Sequence, residues 1–269
     1  MMDDGLRITI SSTSTMSIPA RTLALFISDL HLQESHPRTA EAFFGFLLEH
    51  AAHAEQLYLL GDIFEYWAGD DDIDSPFHAR VIKALRALSD TGVAVSWMAG
   101  NRDFLAGEGF ARAAGLSLLP EPRVALVGGR RITLVHGDAE CTLDTKYMEF
   151  RAMVRENAWQ AQFLALPLAQ RKQIIAGLRE GSREAHVDKA YEIMDVTPAA
   201  IEAVFAATGA GVLIHGHTHR PALHRHGDKR RYMLPDWELD GEPPRGGWIA
   251  VGALGAVTRH AFDGTLISD

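Results

Sequence analysis

The stretch GVLIHGHTHRP, residues 211–221, indicates most directly how this chain folds. Its first half is an apolar run, and its second half places His215, His217 and His219 at alternate positions. A short apolar run that stops at a glycine is typical of a buried strand followed by a sharp turn. The stretch therefore predicts a strand with imidazole side chains at its carboxyl end.

Four other stretches contain the same kind of apolar run, and helical patterns separate them. Together with residues 211–216, the predicted strands cover residues 22–28, 56–61, 93–100 and 131–137, and the helical patterns cover residues 38–52 and 76–92. Alternating strands and helices predict an α/β fold whose sheets are covered by helices. A Gly-Gly pair within residues 124–135 predicts a hairpin, and the β-rich residues 231–262 predict a second sheet packed on the first.

The composition is that of a globular protein and excludes several classes of function. The chain has 269 residues, 47% of them apolar and 23% charged, which suits one large domain or one domain with an insertion. A net charge of −9 argues against nonspecific binding to nucleic acid. Cys141 is the single cysteine, so no intrachain disulfide can form and a metal site must use oxygen and nitrogen ligands.

No segment has the pattern of a membrane span or an export signal. No apolar run approaches the roughly 20 residues that a bilayer-spanning helix needs. Residues 1–21 contain acidic and Ser/Thr-rich stretches without an apolar centre, so we expect a disordered extension, with Met16 as an alternative start. We expect residues 22–269 to form the folded domain of a cytoplasmic protein.

Residues 145–190 interrupt the alternation of strands and helices. They have a helical pattern, an apolar stretch from Trp159 to Leu168, and eight basic against five acidic residues in an otherwise acidic chain. One interpretation is a helical hairpin that packs its own small core. The other is an inserted helical lid with an apolar inner face and a basic rim.

Polar residues of metal-binding types follow the five predicted strands. They lie in the stretches SDLHL (28–32), GDIFE (61–65), GNRDF (100–104), HGD (136–138) and HGHTH (215–219). The carboxyl ends of strands in α/β sheets can meet in one crevice, and the glycines beside the ligands let the backbone turn sharply. The candidate metal ligands are Asp29, His31, Asp62, Asn101, His136, His217 and His219.

This ligand set suits two divalent ions, because seven ligands are too many for one tetrahedral ion. A set without thiolate favours ions such as Mn²⁺ or Mg²⁺ over iron and zinc. Two such ions beside two aspartates leave a positively charged site, which suits an anionic substrate.

The order of the motifs resembles that of the calcineurin-like metallophosphoesterases, whose pattern is DxH, GD, GN, H and GHxH. The resemblance covers about residues 22–262 and implies a β-sandwich flanked by helices. His215 falls outside the pattern, so we expect it to pack or to support a ligand. The resemblance implies that Asp29, His31, Asp62 and His219 bind one ion and that Asp62, Asn101, His136 and His217 bind the other, with Asp62 as the bridge.

In the mechanism that the resemblance implies, two metal ions activate a hydroxide for in-line attack on phosphorus. Arg102 indicates which kind of phosphoester this hydroxide would cleave. Many family members have a histidine directly after the ligand asparagine, where it can protonate an alkoxide leaving group. Arginine keeps its proton, whereas a phosphate leaving group hardly needs an acid. Arg102 therefore favours cleavage of a pyrophosphate, whose oxygens it would hold bidentately. The alternative is an arginine paired with Asp103.

Longer stretches of sequence narrow the resemblance to one group of enzymes within this family. The stretches ISDLHL, LLGDIFEYWAGDDD, GNRDFL, LVHGD, FLALPL, IMDV and LIHGHTHRP are similar to those of the bacterial UDP-2,3-diacylglucosamine diphosphatases of lipid A biosynthesis. Those enzymes release UMP and 2,3-diacylglucosamine 1-phosphate, usually with Mn²⁺, and carry a helical lid after the HGD motif. His186 stands where we expect an asparagine in that family. The resemblance implies catalytic roles for Asp62, Asn101 and Arg102, and substrate contacts from Asn101, Arg102, Asp144, Ser182, His186, Lys189 and His217.

The implied substrate is a lipid, so we expect a monomer that contacts the inner face of the cytoplasmic membrane peripherally, through the lid and its basic rim. Two alternatives stay open. One is a general or cyclic-nucleotide phosphodiesterase on the same two-metal site, which a histidine at position 102 and the lack of a lid would favour. The other is a non-catalytic scaffold that has lost its metals, against which seven intact ligands argue.

Overall fold

The computed structural model describes residues 22–187 and 193–268, except for the side chains of residues 181–187. The expected extension, residues 1–21, lies outside the described residues. Among the described helices, none combines the length and the apolar composition that a membrane span requires. The strands are β1 (Thr22–Ile27), β2 (Gln56–Leu60), β3 (Ala94–Met98), β4 (Ser117–Leu119), β5 (Arg123–Val127), β6 (Arg130–Leu134), β7 (Val212–His215), β8 (Ala222–His226), β9 (Lys229–Met233), β10 (Gly247–Gly252), β11 (Val257–Ala261) and β12 (Leu266–Ile267). The helices are α1 (Pro37–Glu49), α2 (Pro76–Asp90), α3 (Glu108–Ala114), α4 (Thr145–Val154), α5 (Asn157–Leu164), α6 (Leu168–Val187) and α7 (Pro198–Thr208).

Two mixed sheets form the centre of the fold. The first has the strand order β12-β11-β10-β1-β2-β3-β4, and the second has the order β5-β6-β7-β9-β8. In the first sheet β1 to β4 are parallel, and β10 runs antiparallel to β1. In the second sheet β6, β7 and β9 are parallel. Strands β5 and β6 form the hairpin expected from the Gly-Gly pair.

Side chains along β1 alternate between two apolar layers. Leu25 and Ile27 pack with α1, α2 and α3, whereas Ala24 and Phe26 lie between the two sheets. A third layer lies under α7 on the outer face of the second sheet and contains the buried thiol of Cys141. The architecture is a β-sandwich flanked by helices, which confirms the expected α/β fold.

The C-terminal strands are divided between the sheets, so the prediction that residues 231–262 build the second sheet is wrong in part. β9 joins the second sheet, but β10 and β11 extend the first. The reason is that β10 is apolar on both faces: Trp248 and Ala250 pack on the helical side, and Ile249 and Val251 face the second sheet. A strand with two apolar faces is stable only where both faces are covered, as they are beside β1.

Helices α4, α5 and α6 occupy residues 145–187, where the sequence predicts helix. They do not pack a small core of their own. Phe163 is part of the apolar cluster under α1 to α3, and Trp159, Leu166 and Ile175 pack against that cluster. The interpretation as an independent helical hairpin is therefore wrong, because the apolar residues of these helices complete the main core.

Several basic residues of α4 and α6 face the body of the protein and not the solvent. Arg171, for example, is only 2% exposed. For these residues the expected basic rim is wrong, because carboxylates on the body neutralise them at the interface between the helices and the sandwich. The ion pairs are Arg151 with Glu121 and Asp138, Arg171 with Asp71, Lys172 with Asp72, and Arg179 with Glu65.

Candidate metal centre

The seven candidate ligands lie together at one edge of the sandwich, just past the carboxyl ends of β1, β2, β3, β6 and β7. Asn101 Oδ1 lies 3.1 Å from Nε2 of His136 and 2.9 Å from Nδ1 of His217. Within each of two groups, the ligand atoms of the carboxylate and the histidines lie within 4.8 Å of one another. The first group is Asp29, His31 and His219, and the second is Asp62, His136 and His217, which Asn101 joins.

The carboxylate of Asp29 fits a cation. It is fully buried, and its Oδ2 accepts hydrogen bonds from Ser28 Oγ at 2.5 Å and from the backbone N–H of His217 at 2.9 Å. Its Oδ1 has no hydrogen-bond partner among the described residues and lies 3.5 Å from Nε2 of His219. That nitrogen is 3.3 Å from Nε2 of His31. A buried carboxylate oxygen that lacks a hydrogen bond is costly without a compensating charge, so this donor set fits a divalent ion.

The second group also lies in surroundings that favour a cation. Asp62 Oδ1 accepts the N–H of Arg102 at 2.8 Å and lies 3.7 Å from Nε2 of His136. Nδ1 of His136 donates to the carbonyl oxygen of Leu60 at 2.8 Å, which leaves the Nε2 lone pair for a metal. Burial lowers the pKa of His136, but the carboxylates of Asp62 and Asp138 outweigh it and raise that pKa to about 9. The carboxylates around this histidine thus stabilise positive charge.

The backbone at the ligands has a conformation that side chains rarely adopt. Asp29, His31, Asp62, His217 and His219 have φ values between 48° and 70°, and no other non-glycine residue in the described chain has a positive φ. A left-handed conformation costs roughly 1–2 kcal/mol per residue and is concentrated at functional sites. The strained backbone of these loops is therefore explained by the positions that the candidate ligand side chains must occupy, and not by the stability of the backbone itself.

Two glycines let the ligand loops approach each other closely. A Cβ atom at Gly216 would overlap the carboxylate of Asp29, and one at Gly100 would overlap the carboxylate of Asp62. Neither glycine has a positive φ, whereas Gly61 has a φ of 88°. The sharp turn expected from the sequence therefore occurs at Gly61, but at Gly216 and Gly100 the reason for glycine is close packing.

Two buried carboxylates that the sequence analysis missed lie behind the histidines of the first group. Glu65 Oε2 is 2.9 Å from Nδ1 of His31, and Asp236 Oδ2 is 3.5 Å from Nδ1 of His219. A carboxylate at the second ring nitrogen commonly fixes the orientation and the tautomer of a ligand histidine. Glu65 is three residues after Asp62 in the stretch GDIFE, which was the one available signal. Nothing in the sequence connects Asp236 with His219.

Asp103, which the sequence analysis considered only as a partner of Arg102, joins the loops that follow β2 and β3. Its fully buried carboxylate accepts the N–H groups of Gly100 at 2.9 Å, Ile63 at 2.8 Å and Asp62 at 3.3 Å. Burial and the charge of Asp62 raise its pKa to about 7. The alternative in which Asp103 pairs with Arg102 is not what the structure shows, since no ion pair joins the two within residues 22–187.

His215 lies outside both ligand groups. It is fully buried; its Nδ1 donates to the carbonyl oxygen of Gly216 at 2.9 Å, and its Nε2 accepts from Arg231 Nη1 at 2.9 Å. Burial and the charge of Arg231 lower its pKa to about 3. His215 is therefore a neutral packing residue, as expected.

Helix α4 carries a side chain that lies beside the candidate metal centre. Asp144 precedes it, and its carboxylate accepts the N–H of Tyr147 at 3.2 Å and caps the helix. Tyr147 donates to Asp138 at 2.6 Å, and its ring centre lies 6.2 Å from that of His217. Asp144, one of the implied substrate contacts, thus caps the helix whose Tyr147 lies beside His217. The side chains of Ser182 and His186, and the whole of Lys189, lie outside the described residues.

Comparison with known proteins shows which family the chain resembles. Calcineurin-like phosphoesterase is the family that matches residues 23–221. A protein from Aromatoleum aromaticum named UDP-2,3-diacylglucosamine hydrolase is 52% identical over 221 residues, which cover 81% of this chain and 90% of that protein. A protein of the same name from Chromohalobacter salexigens is 49% identical over 228 residues, which cover 83% of this chain and 90% of that protein.

Solved structures give a more distant likeness. Vacuolar protein sorting 29 from Cryptosporidium parvum covers 92% of this chain and 95% of its own, with 14% identity and a TM-score of 0.47. The family match is the finding that decides the assignment, since it spans most of the chain and includes all seven candidate ligands. The chain belongs to the calcineurin-like phosphoesterase family.

Proposed function

We propose that this chain is a metal-dependent hydrolase that cleaves the pyrophosphate bond of UDP-2,3-diacylglucosamine, giving UMP and 2,3-diacylglucosamine 1-phosphate for lipid A biosynthesis. The two relatives named for hydrolysis of this substrate share about half of their residues with it over about four-fifths of its length. The observation that carries the proposal is the pair of complete ligand groups, with an unpaired carboxylate oxygen in the first of them.

Two divalent ions, when bound by these groups, lower the pKa of water and stabilise the charge that develops on phosphoryl oxygens. Mn²⁺ is the ion we propose, because carboxylate, amide and imidazole ligands without thiolate suit it. Asn101 and Arg102 follow β3 on one loop, and the N–H of Arg102 is fixed to Asp62 at 2.8 Å. The guanidinium of Arg102 can then hold pyrophosphate oxygens bidentately, while the phosphate leaving group needs no proton from a side chain.

The acyl chains of such a substrate need an apolar surface, and α4 to α6 would provide it as a lid. Phe150 and Met153 on α4 are 37% and 45% exposed, and Ile174 and Leu178 on α6 are 37% and 48% exposed. The members of each pair are three or four residues apart, so each pair lies on one face of its helix. Exposed apolar side chains that share a helix face are typical of a binding site for a lipid or a partner.

The same apolar surface would allow peripheral contact with the inner face of the cytoplasmic membrane. Arg171, Lys172 and Arg179 are paired with carboxylates of the body, so apolar side chains would make this contact in place of a basic rim. A single chain supplies all the candidate ligands, so the site needs no second chain, and we propose a monomer as the active form. A net charge of −9 supports a role that does not involve nucleic acid.

The test of this function compares two substrates. Purified protein with Mn²⁺ is incubated with UDP-2,3-diacylglucosamine and, separately, with bis-p-nitrophenyl phosphate. Release of UMP from the first substrate alone supports the proposal. Hydrolysis of only the second indicates a general phosphodiesterase, and hydrolysis of neither indicates a non-catalytic scaffold. The Asp62→Ala variant is the negative control, and we expect it to lose both UMP release and bound metal.

A further inference from the structure

We infer that Glu65 is a positioning residue that connects helix α6 to the metal ligand His31, with Arg179 as its partner on the helix. The inference rests on the metal-dependent function proposed above. It assigns a role to a buried ion pair that the ligand pattern of the family does not include.

Backbone hydrogen bonds fix Glu65 relative to His31. The loops that follow β1 and β2 run side by side: the N–H of His31 donates to Asp62 at 3.0 Å, and the N–H of Leu32 donates to Ile63 at 2.8 Å. The N–H of Glu65 donates back to Leu32 at 3.2 Å. The Glu65 side chain is 8% exposed, and its Oε2 lies 2.9 Å from Nδ1 of His31. The contact is therefore built into the loop pair and does not depend on a mobile surface side chain.

The chemical effect of Glu65 follows from the two nitrogens of the imidazole ring. The contact between Glu65 and Nδ1 of His31 is an ion-pair contact without hydrogen-bond geometry. The negative charge of a carboxylate beside Nδ1 favours the proton on that nitrogen and leaves the Nε2 lone pair free as a metal ligand. Nε2 of His31 is the atom that faces Nε2 of His219 at 3.3 Å, inside the first ligand group. Glu65 thus orients the correct nitrogen of His31 toward the ion.

The other oxygen of Glu65 connects this arrangement to α6. Oε1 accepts a hydrogen bond from Nη2 of Arg179, whose guanidinium also lies over the ring of Tyr66, 5.6 Å from its centre. Arg179 is 18% exposed and Glu65 is 11% exposed by side chain, so solvent screens the pair little. Docking of α6 therefore holds Glu65 in the position that supports His31.

The same helix offers a matched control. Lys172 pairs with Asp72 at 2.7 Å, seven residues before Arg179 and roughly 10 Å away along the helix. Asp72 contacts His78 and not a candidate metal ligand. Both ion pairs attach α6 to the body of the protein, but only the one through Arg179 leads to His31. A change in metal binding caused by general loosening of α6 would appear in both variants.

The experiment measures Mn²⁺ binding to metal-free protein by electron paramagnetic resonance titration of the free ion. Glu65→Gln should lower the affinity for one of the two ions by about 10- to 100-fold and leave the affinity for the other unchanged. Changes to residues that lie behind a ligand commonly have an effect of this size. Arg179→Met should weaken the same ion, and the double variant should bind it no more weakly than Glu65→Gln alone. Lys172→Met should leave both affinities at the wild-type value.

A second readout follows from the reciprocity of coupled equilibria. Mn²⁺ should increase the protection of α6 from hydrogen exchange in the wild type and in Lys172→Met, but not in Arg179→Met. Equal metal affinities in the wild type and Arg179→Met would overturn the inference. The inference would also be overturned if Arg179→Met lowered the Mn²⁺ affinity by the same factor in the Glu65→Gln background as in the wild type. If Glu65→Gln does not fold, Arg179→Met and Lys172→Met decide between the outcomes.

These results separate the inference from the function on which it rests. A wild-type protein that binds no Mn²⁺ and releases no UMP overturns the proposed function. A wild type that binds two ions and releases UMP, with variants that bind both ions equally well, overturns only the role of Glu65 and Arg179.

Discussion

Replacing Glu140 by glutamine should stabilise the metal-free protein at pH 8. Glu140 lies in a short turn after the candidate metal ligand His136; the residue is 6% exposed, and its Oε2 has no hydrogen-bond partner among the described residues. Burial, followed by the charges of Glu121 and Asp138, raises the pKa of Glu140 from 4.5 to about 7. At ~1.4 kcal/mol for each pH unit, this shift corresponds to about 3 kcal/mol of lost stability when the group is ionised.

The sign of the effect follows from proton binding. Between pH 4.5 and 7 the folded protein holds a proton on Glu140 that the unfolded chain has released, so stability falls as the pH rises through this window. Above pH 7 the loss is complete and constant. Glutamine carries no charge in either state, so the variant lacks this component of the pH dependence.

Urea unfolding in EDTA, repeated between pH 4.5 and 8, measures the difference. The free energies of unfolding of wild type and Glu140→Gln should nearly coincide at pH 4.5 and diverge to about 3 kcal/mol at pH 8, in favour of the variant. Glu34→Gln, which neutralises an exposed carboxylate, is the control and should follow the wild type at each pH. Parallel curves for wild type and Glu140→Gln across the whole window would refute the reasoning.

Three further predictions concern the site and its frame. Arg102→Ala should lower turnover by about 100- to 1,000-fold, the usual effect of removing one donor to a developing anion, with both metals still bound by elemental analysis; loss of metal would contradict a substrate role. Asp240→Ala should lower the melting temperature by about 2–8 °C, because Asp240 accepts the N–H groups of Arg38 and Thr39 at 3.0 and 2.9 Å and caps α1 from a distant loop; His36→Asp, which restores a local cap, should recover part of the loss. EDTA should lower the melting temperature of the metal-loaded wild type but not that of Asp62→Ala, because ions that bind only the folded state stabilise it.

The candidate ligands that the structure brings together could be identified in the sequence because they follow apolar runs. The strand ends carry a local signal, an apolar stretch and then a glycine beside Asp62, Asn101 or His217, and parallel strands bring such ends to one edge of a sheet. The helical segment 145–187 was predictable for a similar reason, since its composition and spacing are those of helices. A local sequence pattern is therefore sufficient to identify a candidate ligand that directly follows a strand.

The support of the site could not be predicted, because it depends on contacts between distant residues. Glu65 and Arg179 are 114 residues apart, and Asp236 reaches His219 from the other side of β8 and β9. Such pairs leave no period in the sequence. The sequence of residues 145–190 gives the number of charged side chains but not the side of each helix on which they lie. A basic rim was therefore expected at positions whose cationic side chains face the body of the protein. The role of Asp240 as a helix cap was hidden for the same reason.

The left-handed backbone at five candidate ligands sets a limit on laboratory evolution of this enzyme. Each of these residues keeps a conformation that glycine would adopt with less strain. A screen for heat resistance in metal-free medium would therefore reward replacement of the ligands by glycine, and activity would disappear while the sandwich became more robust. Libraries aimed at a more stable enzyme should leave these five positions fixed and be screened with a divalent metal ion present.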